Sequence, residues 1–236
     1  MDKNRLAAYK VLLRMEENDT YSNIELNNQI HRIRPESQGF VRELVYGVTE
    51  KRLYLDYLLS QIVIDGYADL PSRVKVFLRI GIFQLVFMES VPEYAAVCET
   101  VNLAKINCSR HYKSINRILR TFIRKKNSIS FPENIRKRGK RLVNQYSVDK
   151  SIVELWKEQF GYDFTEELLK AGNEVPPFTI RVNTTKISKV ELKDALISRG
   201  FEVLDIDEKI NMLQIAGSDI LRTEEYREGL FSVQDP

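Results

Sequence analysis

Val74-Lys75-Val76-Phe77-Leu78-Arg79-Ile80-Gly81-Ile82-Phe83-Gln84-Leu85-Val86-Phe87-Met88 is the most apolar stretch of the chain. Lys75, Arg79 and Gln84 interrupt it well short of the ~18–20 apolar residues that span a bilayer. Val76, Phe77, Ile80, Phe83, Leu85 and Phe87 leave little room for a polar face, so this segment reads as the central helix of a bundle. On the N-terminal side, Phe40, Val41, Leu44, Val45 and Val48, then Leu55, Leu58, Leu59 and Ile62, repeat at the 3.6-residue period of a buried stripe. Leu6, Tyr9, Leu12 and Leu13 do the same nearer the start. Ser22-Asn23-Ile24-Glu25 has the form of a capping box opening a helix through Ile30, and Pro35-Glu36 suits a first turn. On the C-terminal side, Val91-Pro92-Glu93 starts a helix carrying Ala96, Val97, Val101 and Ala104. Residues 1–126 are therefore expected to be helical almost throughout.

The last of these helices, from about His111 to Lys126, has two distinct faces. At 100° per residue, Ile115, Ile118, Leu119 and Phe122 fall within roughly 100° of one another. Lys113, Arg117, Arg120 and Arg124 fall within roughly 60° on the opposite side. One face reads as core and the other as a straight cationic rail. The rail runs on into Lys125 and Lys126, then Arg136, Lys137, Arg138, Lys140 and Arg141.

Residues 127–145 have few apolar anchors and read as a basic linker or an exposed helix. From Tyr146 the pattern changes. Ile152, Leu155, Trp156 and Phe160 predict a helix ended by Gly161, and Phe164, Leu168 and Leu169 a second, ended near Gly172. Pro176-Pro177 halts helix formation. Short β-rich runs at Phe178–Val182, Phe201–Ile206, Met212–Ile215 and Leu230–Val233 surround a helix at Leu192–Ile197 that Gly200 stops. The order β-α-β-β-turn-β predicts a small α+β module of the ferredoxin or RNA-recognition type over 146–236.

The 236 residues carry 36 Lys/Arg and 33 Asp/Glu, a net charge of +3. The distribution is uneven. Residues 1–104 hold 12 basic and 14 acidic side chains, 105–141 hold 13 basic and one acid (Glu133), and 142–236 hold 11 basic and 18 acidic. A dense cationic segment between acidic flanks points to a polyanionic partner. With so few acids in the segment, internal salt bridges are not expected to neutralise it, and a cationic face kept over three turns suits phosphates along a nucleic-acid backbone.

Catalytic constellations are sparse. His31 and His111 have no second ligand at helical spacing, so no metal site is expected. Cys98 reads as a small mid-helix residue. Cys108 stands near Lys105, Arg110 and His111, neighbours of the kind that lower a thiol pKa. The ten glycines form neither a G-x-G-x-x-G nor a P-loop. With no signal peptide or membrane span in the sequence and two cysteines, the cytoplasm is the expected compartment and a membrane partner is not expected.

Several blocks resemble a known family. Tyr21-Ser22-Asn23, Phe40-Val41-Arg42-Glu43-Leu44-Val45-Tyr46-Gly47-Val48, Leu78-Arg79-Ile80-Gly81-Ile82-Phe83-Gln84-Leu85 and Val91-Pro92-Glu93-Tyr94-Ala95-Ala96-Val97-Cys98-Glu99-Thr100-Val101-Asn102-Leu103-Ala104-Lys105 resemble the NusB-like all-α RNA-binding domain. Tyr146-Ser147, Leu155-Trp156, Arg181-Val182-Asn183-Thr184 and Glu228-Gly229-Leu230-Phe231-Ser232-Val233-Gln234-Asp235 extend the likeness to the RsmB (Sun/Fmu) family of ribosomal RNA cytosine-C5 methyltransferases. Where that family often has Asn-Gly, this chain has Asn116-Arg117, which adds a cation to the rail. The resemblance implies ribosomal RNA as partner, S-adenosylmethionine as cofactor of the whole enzyme, and a Rossmann-like catalytic domain after the Val-Gln-Asp strand. That domain's glycine-rich loop and its proline-preceded cysteine have no counterpart in these residues. The chain is therefore expected to be the RNA-binding N-terminal part, inactive alone, with no catalytic, cofactor or metal residues of its own. Two other readings stay open. One is a non-enzymatic antitermination factor like stand-alone NusB, contacting a ribosomal protein and nascent RNA. The other is a bundle whose basic face docks an acidic protein.

Overall fold

The computed structural model describes residues 2–18, 20–63, 66–131, 138–206, 210–216 and 219–235. They form two compact units, Met1–Gly172 and Asn173–Pro236.

The first unit is helical. Its elements are α1 (Lys3–Asn18), α2 (Ser22–Ile30), α3 (Pro35–Glu50), α4 (Arg52–Ile62), α5 (Ser72–Phe87), α6 (Glu93–Asn107), α7 (Tyr112–Lys125), α8 (Arg138–Tyr146), α9 (Lys150–Phe160) and α10 (Tyr162–Gly172). The apolar stretch is α5, and it packs against α1, α3, α4, α6 and α7. Phe77, Leu78, Ile80 and Ile82 are fully buried with Leu44, Leu55, Leu59 and Ile115 in one continuous core. Prolines at 35, 71 and 92 sit at or just before the starts of α3, α5 and α6, where a missing amide hydrogen costs nothing. The capping box expected at Ser22 does not form. Tyr21 is the N-cap and makes no side-chain bond, so Ser22 is already inside the helix and its spacing to Glu25 is out of register. Glu25 instead pairs with Arg14 of α1 at 2.9 Å.

The two buried polar residues of α5 are held by other helices. The Arg79 guanidinium donates to both oxygens of Asp56 on α4 (2.7 and 2.8 Å) and to Glu16 on α1 (2.7 Å). Tyr67, after α4, donates its hydroxyl to the same Asp56 carboxylate. Burial alone would lower the Arg79 pKa; the bonds and charge of Asp56, with Tyr67 and Glu16, hold it above the usual arginine value. Gln84 accepts from Arg5 Nε at 2.7 Å and donates to the Ile80 carbonyl at 2.9 Å. Arg5 also lies over the Phe40 ring, 5.0 Å from its centre.

Two glycines are sites of close helix approach. A Cβ on Gly47 of α3 would lie 2.0 Å from the tip of the Phe83 ring, and one on Gly81 of α5 would lie 2.6 Å from a Leu119 methyl on α7. The Phe83 ring is thus seated over α3, and Leu119 over α5.

The segment read as a linker or an exposed helix contains α8, and α8 has a buried side chain. Leu142 of α8 is fully buried with Val153 of α9 and Leu169 of α10 in a small separate core. This hairpin joins α4: the Leu53 amide donates to Ser147 Oγ at 3.1 Å, and Phe131 stacks on Tyr57 with ring centres 4.5 Å apart. Leu155, Phe160 and Phe164, expected on an apolar face, are about half exposed, because the buried seam runs through Val153, Thr165 and Leu169 instead.

The second unit contains β1 (Thr179–Val182), α11 (Lys189–Ser198), β2 (Glu202–Asp205), β3 (Met212–Ala216), α12 (Glu224–Arg227) and β4 (Phe231–Val233). The strand order is β2-β3-β1-β4 with every neighbouring pair antiparallel. β1 and β2 therefore run parallel on either side of β3 and need a crossover, which α11 supplies. This is the ferredoxin-like arrangement expected from the order of elements. Ile180 aligns with Leu213 on one side and Val233 on the other. Ile180, Leu213 and Ile215 pack with Leu192 and Leu196 of α11. Ser188 and Glu191 form a full capping box at the start of α11, and the bonds from Ser188 lower the Glu191 pKa.

Replacing Arg79 with Leu leaves the Asp56 and Glu16 carboxylates facing each other without their cation. A loss of about 3 kcal/mol in urea unfolding is expected; a loss below ~1 kcal/mol, the size of one ordinary hydrogen bond, would remove the cluster from any organising role. Gly47→Ala is expected to cost ~1–3 kcal/mol by overpacking, and Phe83→Leu in the same chain to recover part of it. Purely additive losses in that pair would show that the two residues do not meet.

Candidate nucleic-acid interface

α7 is anchored by its apolar face. Ile115, Ile118, Leu119 and Phe122 are its buried residues. Leu119 fits over Gly81, so the rail helix lies directly on the central helix. The opposite face presents Lys113, Arg117, Arg120 and Arg124 to solvent, and Lys125 is exposed beyond them. Two of these side chains are steadied from their own helix. Arg120 Nε donates to Asn116 Oδ1 at 3.1 Å, and Arg124 donates to Thr121 Oγ1 at 3.1 Å. Both bonds use neutral acceptors and leave the guanidinium charge uncompensated.

Beside the rail, α6 and α7 enclose a groove of about 690 Å³. Lys113, Asn116 and Arg120 line one wall; Tyr94, Cys98 and Lys105 line the other. Tyr94 is 78% exposed, an unusual place for a large ring. Lys105 Nζ stands 5.8 Å from the centre of the Tyr112 ring. The groove thus offers flat rings, amides and cations together, the features that hold stacked bases and phosphates of unpaired RNA. Tyr94 was not picked out by the charge pattern, and Lys105 was counted in the basic segment but not placed on the rail. The available signal was an aromatic ring in the first turn of α6, which periodicity does not register.

The cluster from 125 to 141 is not one surface. Lys126 pairs with Glu93 of α6 at 2.6 Å. Arg136 and Lys137 lie outside the described residues. Arg138 lies over the Tyr162 ring, 5.1 Å from its centre. Lys140 is exposed, while Arg141 is partly buried, bonded to the Tyr162 hydroxyl at 2.9 Å and paired with Glu166. The bond to Tyr162, ahead of the Glu166 charge, holds the Arg141 pKa above its usual value. Lys126 and Arg141 are thus neutralised by acids from outside the basic segment, while Lys113 and Arg117 have no ion pair among the described residues.

Little here suits bond-making chemistry. Burial pushes the Cys108 thiol up, away from the thiolate, with Arg73 opposing only in part. Among the described residues no group of three His, Cys, Asp or Glu side chains could hold a metal ion. The turn from β1 into α11, Asn183 to Ser188, contains no glycine and is closed on itself by Thr185 bonding to Asn183. Gly47 and Gly81 accommodate neighbouring side chains at helix crossings. The turn from β1 into α11 lacks the glycine-bearing strand-to-helix form that cradles nucleotide cofactors in doubly wound folds. No described helix is long and apolar enough to cross a membrane.

Comparison with known proteins agrees with this architecture. Residues 2–124 match the NusB family, and residues 150–218 match the methyltransferase RsmF/B-like ferredoxin-like domain. A probable ribosomal RNA small subunit methyltransferase B of Bacillus subtilis is 29% identical over 97% of this chain and 51% of its own length. The corresponding protein of Synechocystis is also 29% identical, over 98% of this chain and 52% of its own length. The ribosomal RNA small subunit methyltransferase B of Pasteurella multocida is 24% identical over 98% and 49%. The chain spans about half the length of the curated relatives it matches. Among solved structures, that of PH0851 superposes with a TM-score of 0.59 at 18% identity, over 99% of this chain and 53% of the other. A chain in the crystal structure of a plectonemic RNA supercoil superposes at 0.50 and 17%, over 54% of this chain and 96% of its own. Both show a shared fold. Because the helical match alone extends over more than half of the 236 residues, the chain belongs to the NusB family, and it carries a ferredoxin-like module of the RsmF/B type.

Proposed function

We propose that this chain is the RNA-binding N-terminal region of a small-subunit ribosomal RNA (cytosine-C5) methyltransferase, acting in the cytoplasm. The observation that carries the reading is the solvent-facing row of Lys113, Arg117, Arg120 and Arg124 on a helix locked to the core. Residues 1–126 grip RNA through this row, with Lys125 continuing it. Residues 127–145 connect, and 146–236 position the RNA for a catalytic domain. The methyl donor, S-adenosylmethionine, belongs to the whole enzyme and is held by residues other than these. The relatives' names and their coverage of both modules support this over a stand-alone antitermination factor, as does the ferredoxin-like match over 150–218.

Binding to a single-stranded ribosomal RNA oligonucleotide is expected to weaken with salt, at a log–log slope of roughly −0.7 per phosphate contacted. With Arg117, Arg120 and Arg124 all changed to Glu, anisotropy titrations are expected to lose most binding and to flatten the slope by about 2, the share of three contacts. Unchanged affinity, with helicity intact by circular dichroism, would sink the rail as the binding surface. Titration calorimetry of the 236-residue chain with S-adenosylmethionine is expected to show no heat of binding, and a micromolar signal would overturn the assignment of the cofactor to other residues.

A further inference from the structure

The α8–α9 hairpin holds a second cationic concavity, apart from the α7 rail. Val143 and Val153 form the floor of a groove of about 570 Å³. Lys140 and Asn144 line it from α8, and Lys150 and Lys157 from α9. One acid, Glu154, reaches the same groove, and Lys150 takes it at 3.4 Å. Lys140 and Lys157 have no ion pair among the described residues, and the Asn144 amide has no hydrogen-bond partner among them. Lys157 Nζ lies close over Gly139: a Cβ there would stand 3.2 Å from it. Two ammonium groups that border one concavity and have no ion pair among the described residues repel each other, and an anion between them converts that repulsion into attraction.

We propose that this groove is a second RNA-backbone site, in which Lys140 and Lys157 clasp neighbouring phosphates and Asn144 donates to a phosphate oxygen. It rests on the reading of the chain as RNA-binding and extends it to residues outside the NusB match. RNA is favoured over an acidic peptide by two features. Lys140 belongs to the same basic segment as the rail. α4 packs against both α7 and α8, which places both cationic surfaces on one helical unit. Lys150 and Lys157 were hidden from the charge count, because Glu154 and Glu158 alternate with them in sequence.

Two measurements on the full chain test this. In a 15N NMR titration with inorganic pyrophosphate, the amides of Gly139, Lys140 and Asn144 are expected to shift, and to stay still in a Lys140→Gln/Lys157→Gln variant. No shift in α8 at concentrations that move α7 amides overturns the site. In salt titrations with a single-stranded RNA 20-mer, the same variant is expected to flatten the log–log slope by about 1.4, two contacts at ~0.7 each, with α7 intact. An unchanged slope, or equal loss of binding to an acidic peptide alone, overturns the RNA assignment. If the rail reversal abolishes RNA binding while the groove variant keeps wild-type slope, the groove fails and the rail stands. If wild-type chain binds no RNA, the functional reading fails, and the pyrophosphate titration alone decides whether the groove takes phosphate.

Discussion

The buried guanidinium of Arg79 organises the helical unit. Arg79 sits in the middle of the most apolar helix, where leaving water costs several kcal/mol. That cost is met only because Asp56 takes the guanidinium fork with both oxygens, Glu16 takes a third hydrogen, and Tyr67 caps the same Asp56 carboxylate. Burial, ahead of the neighbouring charges, keeps the Tyr67 hydroxyl protonated and therefore a donor. The partners come from α1, α4 and the segment after α4, so a rotation of α5 in either direction breaks bonds on more than one side. An apolar helix by itself has many near-equivalent rotations; a forked cation has one. Gly81 lies about 200° from Arg79 around the same helix, so fixing Arg79 also fixes the flat spot on which Leu119 and α7 rest.

The same rule, whether an acid is within reach, divides the basic side chains into two populations. Arg79, Lys126 and Arg141 meet carboxylates and serve as joints between helices. Lys113, Arg117 and Lys125 meet none among the described residues. Residue composition gave the segment from 105 to 141 a surplus of twelve positive charges, but the fold withdraws some of them into its own scaffold. What remains for a partner is smaller than that surplus and is placed on rigid backbone.

Periodicity read the bundle well because burial has a period and acts locally. The two faces of α7 were visible in its 14 residues, and the four buried residues of that helix are the four on its apolar arc. The strand order of the second unit followed from element order, since a β-α-β crossover and an adjacent hairpin leave few arrangements. What stayed hidden depends on partners remote in sequence. Glu93 and Glu166 neutralise Lys126 and Arg141 across 33 and 25 residues. The Ser22 capping box failed by one residue of helix start, a shift no local pattern reports. Leu155, Phe160 and Phe164 looked like core on an isolated helix, yet three helices the length of α8 to α10 can enclose only one narrow seam. The site was legible where it follows a helical face, and illegible where it lies between helices, as Tyr94 does.

Rigidity separates α7 from an ordinary solvated charge run. Long basic side chains lose rotamer freedom when they bind, about 0.5–1.5 kcal/mol each. On α7 part of that cost is met before any ligand arrives. Arg120 is already bonded to Asn116 and Arg124 to Thr121, and the backbone beneath them is fixed by Leu119 on Gly81. In both cases a neutral residue, rather than an acid, orients the cation. An acid would have aimed it equally well and cancelled its charge. Asn116 and Thr121 aim it and leave the charge uncompensated.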